Sequence, residues 1–125
     1  MKKITKDNLK SFLEYYHDFH DSTISNINYN IEKSEIDLLI NVYWSGTPVL
    51  KEDKTYKTNK RKLKMIFNGV ELVITKEIFT WDYITKANIE YTTLENKEYI
   101  SFKDDLNEPQ IYILSDSIEY EELSD

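Results

Sequence analysis

Ile27-Asn28-Tyr29-Asn30-Ile31 and, beyond Glu32 to Glu35, Ile36-Asp37-Leu38-Leu39-Ile40-Asn41-Val42-Tyr43-Trp44 decide how this chain folds. In the first run Ile27, Tyr29 and Ile31 alternate with Asn26, Asn28 and Asn30; in the second Ile36, Leu38, Ile40, Val42 and Trp44 recur at every other position. A period of two is that of a strand with one face buried. If Glu32 to Glu35 closes a hairpin, Ile31 faces Ile36, Tyr29 faces Leu38 and Ile27 faces Ile40, and all six side chains share one face.

Downstream, Asn68-Gly69 predicts a two-residue type I′ turn between Lys62–Phe67 and Val70–Ile74. That register pairs Phe67 with Val70, Met65 with Leu72 and Leu63 with Ile74. Between the two hairpins, Ser45 to Asn59 holds Gly46-Thr47-Pro48 and many charges, and is the longest expected loop and mobile segment. Short strands are expected at Phe79–Tyr83, Ala87–Thr92, Tyr99–Phe102, Gln110–Leu114 and Ser117–Tyr120, with a turn at Asp104–Pro109 and an acidic tail from Glu119 to Asp125.

Upstream the period changes. Leu9, Phe12, Leu13 and Tyr16 recur at i, i+3, i+4 and i+7, the stripe of an amphipathic helix. Thr5 can cap that helix, Ile4 and Leu9 can staple it, and it should end near His17. The expected fold is α+β: an N-terminal helix packed on a mainly antiparallel, twisted β-sheet or sandwich of about seven to eight strands. A length of 125 residues suits a single domain spanning the whole chain.

Composition narrows the class. With 40% hydrophobic and 14% aromatic residues the chain is too apolar for disorder. No stretch approaches the ~20 apolar residues of a membrane span, and Met1–Thr5 does not lead into an apolar signal core, so a cytoplasmic protein without a membrane partner is expected. The absence of cysteine excludes disulfides, thiol catalysis and thiolate zinc sites.

Charge is unevenly placed within the net −7. Residues 90–125 hold eleven acids against Lys97 and Lys103, a formal −9, whereas residues 1–89 hold 14 bases and 12 acids, a formal +2. Lys51 to Lys64 gathers seven bases against Glu52 and Asp53, a run that suits a solvated loop. An acidic protein is repelled by nucleic acid at long range, so no nucleic-acid partner is expected.

Both histidines lie in Tyr15-Tyr16-His17-Asp18-Phe19-His20-Asp21-Ser22, where helix gives way to strand. His17, His20 and Asp21 are the weak candidates for a metal site, since imidazole with carboxylate is a ligand set for divalent ions. Against it, His17 and His20 share a helix face only if the helix continues through His20, and further ligands are scattered carboxylates. The structural alternative is a junction in which His20 and Asp21 hydrogen-bond backbone groups, with Ser22 or Thr23 helping. Ser22 next to His20 and Asp21 does not make a relay, because neighbours in sequence rarely reach that geometry. Gly46 and Gly69 are isolated and form no phosphate loop, so no nucleotide cofactor is expected. Asp104 with Asp105 and Glu121 with Glu122 suit a solvated acidic surface better than a glycosidase pair. No catalytic residue is assigned.

Aromatics exceed what a small core needs, and alternation sends some to an outer sheet face. Tyr43 opposes the phase of Val42 and Trp44, while Phe79, Trp81 and Tyr83 share one face. Trp81 and Tyr83, with Glu119, Tyr120, Glu121 and Glu122 of the acidic end, are the candidate partner-binding residues, as Tyr and Trp are favoured interface anchors. Coverage of both sheet faces is the alternative use for the same rings.

Phe19-His20-Asp21-Ser22 leading into Ile24, then a long hairpin, then Ile66-Phe67-Asn68-Gly69-Val70 and short strands resembles small β-rich bacterial proteins of unknown function, among them immunity proteins of polymorphic toxin systems. Those carry a Phe-His-Asp sequence after the first helix. The resemblance implies a stoichiometric, non-enzymatic binder that neutralises a basic toxin, with no cofactor and no catalytic residue to carry over. Three functions stay open: that immunity-like protein-binding module, a small metal-dependent hydrolase using His17, His20 and Asp21, and a structural homodimer formed through an uncovered sheet edge or face.

Overall fold

The alternation of Ile36, Leu38, Ile40 and Val42 puts all four in the core of the computed structural model, which describes residues 1–57, 59–75, 86–105 and 110–124. They belong to β3 (Glu35–Val42), the neighbour of β2 (Thr23–Asn30) and β6 (Arg61–Asn68) in a five-stranded antiparallel sheet. β11 (Ser117–Leu123) and the two-residue β1 (Lys2–Lys3) complete it in the order β1-β11-β6-β3-β2. A second antiparallel sheet has the order β7-β10-β9-β8, from Leu72–Thr75, Ile111–Ser115, Lys97–Asp104 and Ala87–Leu94. The mainly antiparallel α+β class is therefore the observed one.

The inward residues of both sheets share one hydrophobic cluster, where Phe67 of β6 meets Phe102 of β9 edge-on at 5.5 Å between ring centroids. Helix α1 (Leu9–Tyr15) adds Phe12, and Tyr16 and Phe19 follow it into the same cluster. Its start is fixed locally. Thr5 N–H donates to Asn8 Oδ1 at 2.8 Å and Asn8 N–H to Thr5 Oγ1 at 3.3 Å, a reciprocal cap that satisfies two orphan donors. Ile4 is buried, and Leu9 and Leu13 pack partly against the core.

The first hairpin forms, in another register. Tyr29 pairs with Ile36, Ile27 with Leu38 and Ile24 with Ile40, with a bulge between Ile24 and Asn26. The turn is Ile31–Ser34, closed by Lys33 N–H on Asn30 Oδ1 (3.2 Å) and by Ser34 at φ 50°. Asn30 thus sets the turn two residues from the expected register, a slip that keeps every side chain on its face because the period is two. Ile31 pays for it, standing in the turn 77% exposed instead of facing Ile36.

The second hairpin does not form. β6 pairs with β3 and β11, while β7 pairs with β10. A type I′ turn needs positive φ at both central residues, and only Gly69 has it (φ +63°). Asn68 stays extended as the last residue of β6, opposite both Glu35 and Ser117. The chain instead turns a corner from one sheet to the other at Gly69, beside a matching corner at Asp116. Asp116 N–H donates to Asn68 O (2.9 Å), Glu71 N–H to Leu114 O (2.9 Å), and a Cβ on Gly69 would run into the Asp116 carboxyl. Central placement of β6 buries Leu63, Met65 and Phe67 completely, and that tertiary gain overrides the local turn preference.

The segment Ser45 to Asn59 is not a bare loop. It rises as a two-strand ribbon, β4 (Val49–Leu50) against β5 (Tyr56–Lys57), clamped at its base by Ser45 Oγ–H on Asn59 O at 2.7 Å. The acidic tail, likewise, is strand through Leu123. The expected strand Phe79–Tyr83, with Trp81 and Tyr83, lies outside the described residues, as does most of the Asp104–Pro109 turn. No helix among the described residues is long and apolar enough to cross a membrane.

Candidate functional site

The residues after α1 follow an unusual path. His17, Asp18 and Phe19 lie at φ 50°, 54° and 61°, and Asp21 at φ 62°, so three successive L-residues adopt the left-handed region that favours glycine. Each costs on the order of 1–3 kcal/mol and persists only where the surroundings over-determine it. Here they do. Phe19 is fully buried, stacked on Tyr16 at 6.0 Å and edge-on to Phe12 and Phe102 at 5.8 and 6.2 Å. Backbone bonds from Phe19 N–H to Tyr16 O, His20 N–H to His17 O and Ser22 N–H to Phe19 O close the turn.

The side chains of this junction tie it to the base of the ribbon. His17 Nε2 lies 2.7 Å from Gly46 O, and because a carbonyl only accepts, Nε2 must carry the proton. Gly46 N–H donates back to Tyr15 O at 2.8 Å. His20 Nε2 sits 3.4 Å from Asp21 Oδ2, the same oxygen that receives Trp44 Nε1–H at 3.4 Å. Asp18 faces Lys86 Nζ at 3.8 Å. His17 thus bonds a backbone carbonyl, a role expected of His20 and Asp21. Among the described residues there is no group of three or more His, Asp or Glu side chains placed to hold a metal ion.

Elsewhere a concavity, about 640 Å³ in volume, opens between β1, α1 and β11. Its aromatic wall is Phe12, Tyr15, Tyr16 and Tyr120, and Glu121 and Glu122 line its rim. Tyr120 packs its ring on Phe12 at 4.5 Å, while the half-exposed Tyr15 stands edge-on to Tyr16 at 4.9 Å. Tyr16 O–H donates to Glu122 Oε1 at 2.7 Å, and Arg61 Nε approaches the other carboxylate oxygen at 3.8 Å. Burial, then the bond to Glu122, drives the Tyr16 phenol far above its ordinary titration range; burial, then the Glu122 charge, raises Tyr120 as well. Both phenols are neutral donors at physiological pH.

Strand register sorts the candidate partner residues. Ile118 and Tyr120, opposite Phe67 and Met65, point to the core side, and Glu122 sits on that side too, where Tyr16 meets it. Glu119 and Glu121, opposite Ile66 and Lys64, face the other way, and Glu119 accepts Asn68 Nδ2–H at 2.9 Å. The acidic strand therefore presents Tyr120 and Glu122 to the groove and Glu119 to the outer sheet face, while Glu121, out of phase with Tyr120 and Glu122, reaches the groove only at its rim. Sequence reasoning missed Tyr15 and Arg61 here, although Tyr15 next to the helical stripe marked the groove's outer lip. It also missed a smaller hollow of about 350 Å³ lined by Tyr43, Asn41 and Lys60–Lys62, with Lys60 Nζ 5.2 Å above the Tyr43 ring.

A scan of protein-family models finds no match to this chain, and a search of curated proteins finds none either.

Proposed function

We propose that this protein is a non-enzymatic, cytoplasmic protein-binding module, immunity-like in that it would neutralise a basic partner by occupying its surface. The observation that carries the reading is the groove beside β11, where Tyr15, Tyr16 and Tyr120 stand next to Glu121 and Glu122. Aromatic rings beside carboxylates suit guanidinium and ammonium groups, through ring faces and charge-assisted hydrogen bonds. Glu119 and Glu121 extend negative charge onto the outer sheet face, where it would steer a basic protein into position. Trp81 and Tyr83 remain candidate anchors of the same partner. A hydrolase reading has less support, because His17 Nε2 is already bonded to Gly46 O.

The test is capture from a lysate of the source cells at low and high salt, by the wild type and by the Glu119→Lys, Glu121→Lys double variant. A basic protein held by the wild type at low salt and lost by the variant supports the reading. No retained protein at either salt, or equal retention by both chains, rejects it.

A further inference from the structure

β2 forms one edge of the five-stranded sheet. Natural proteins blunt such edges with charge, proline, short length, bulges or a covering element, since unpaired backbone groups template further pairing. The other edges are blunted: β1 has two residues, β7 four, and β8 carries Glu90 and lies against α1 and the turn after it. β2 is eight residues long, and from Ser22 to Ile31 there is no Asp, Glu, Lys, Arg or Pro. Among the described residues its one protective device is the bulge between Ile24 and Asn26, beyond which the strand is regular through Asn30.

The side chains of that regular segment sort cleanly. Asn26, Asn28 and Asn30 are exposed on the outer face, while Ile27 and Tyr29 follow the core side, with Tyr29 43% exposed and Ile31 beyond it in the turn. We propose that β2 pairs antiparallel with β2 of a second copy of this chain, joining two five-stranded sheets across a twofold axis. A twofold interface must be complementary to itself. An asparagine row is, because each amide both donates and accepts, whereas a carboxylate or ammonium row would meet its own charge. For a chain of net charge −7, the uncharged edge is where two copies meet the least local repulsion. The pairing also covers Tyr29, Ile31 and the exposed side of Ile27 in both copies. A partner of other sequence would need no such self-complementarity. The edge is separate from the groove, so this pairing stands or falls independently of the partner proposed there.

Sedimentation equilibrium of the full chain from about 1 μM to about 1 mM tests it. The wild type should rise to twice the monomer mass, and amide exchange over Asn26–Asn30 should slow as concentration increases. Asn28→Lys and Asn28→Asp, changes at an exposed position, should each weaken association by about tenfold or more, and mixing the two should restore it. A wild type that stays monomeric throughout with unprotected β2 amides overturns the proposal. So does a dimer that neither charge affects, or a pair of variants that mixing does not rescue.

Discussion

The His17–Asp21 junction and the groove between α1 and β11 both gather aromatic rings with ionisable groups, but they use their polar atoms differently. At the junction, His17 is bonded to Gly46 O, and Asp21 meets Trp44 and His20. These contacts fasten a left-handed backbone run to the base of the β4–β5 ribbon. In the groove, Tyr16 and Glu122 bond each other at the wall of an open concavity lined further by Tyr15 and Tyr120. The difference teaches where binding is to be sought. The His17 imidazole is committed to Gly46 O, whereas carboxylates and phenols brought together from residues more than a hundred apart line an accessible concavity.

The largest expected effect would break the junction. Phe19→Ala removes the fully buried ring that holds three left-handed residues in place, and should cost about 3–5 kcal/mol in a denaturant titration. A loss under about 1 kcal/mol would mean that the run is held by something else.

Next comes the groove. Tyr16→Phe deletes the bond to the Glu122 carboxylate and should cost about 1–2 kcal/mol at neutral pH. Its pH signature is more specific. Because the folded Tyr16 phenol titrates above the ordinary value of 10.0, the folded state holds its proton after the unfolded chain has lost it. That stabilisation is complete below pH 10 and is lost as pH rises through the folded value, so wild-type stability should fall above about pH 10 and fall less steeply in Tyr16→Phe. Parallel slopes for the two proteins would contradict the assignment.

Two smaller effects sharpen the contrast within the junction. His17→Ala should cost about 1 kcal/mol through the lost bond to Gly46 O, whereas His20→Ala, at a side chain 55% exposed, should stay within about 0.5 kcal/mol. Equal costs at the two positions would erase the distinction drawn between them.

The same residues explain what could be read in advance. Period-two alternation put Ile36, Leu38, Ile40 and Val42 of the inner strand β3 in the core, but on the edge strand β2 and in the turn after it the same parity left Tyr29 and Ile31 exposed, because burial also depends on a strand's place in the sheet. Register depends on the turn, and the Asn30 side chain fixing Ile31–Ser34 has no strong signature. Asn68-Gly69 misled because its local preference was outweighed by β6 lying between β3 and β11. The left-handed run was illegible: His17, Asp18 and Phe19 include no glycine, and the packing around Phe19 and the bonds that close the turn come from the folded structure. At the candidate site, Tyr120, Glu121 and Glu122 were legible by charge and aromaticity, but their division between groove and outer face required the register of β11 against β6.

The central claim is that the surface around β11, not the histidine junction, meets the partner. Side-by-side capture by His20→Ala/Asp21→Asn and by Glu119→Lys/Glu121→Lys measures it most directly. The account predicts that the junction variant retains the wild-type basic partner and the strand variant loses it; retention by the strand variant with loss at the junction would contradict it.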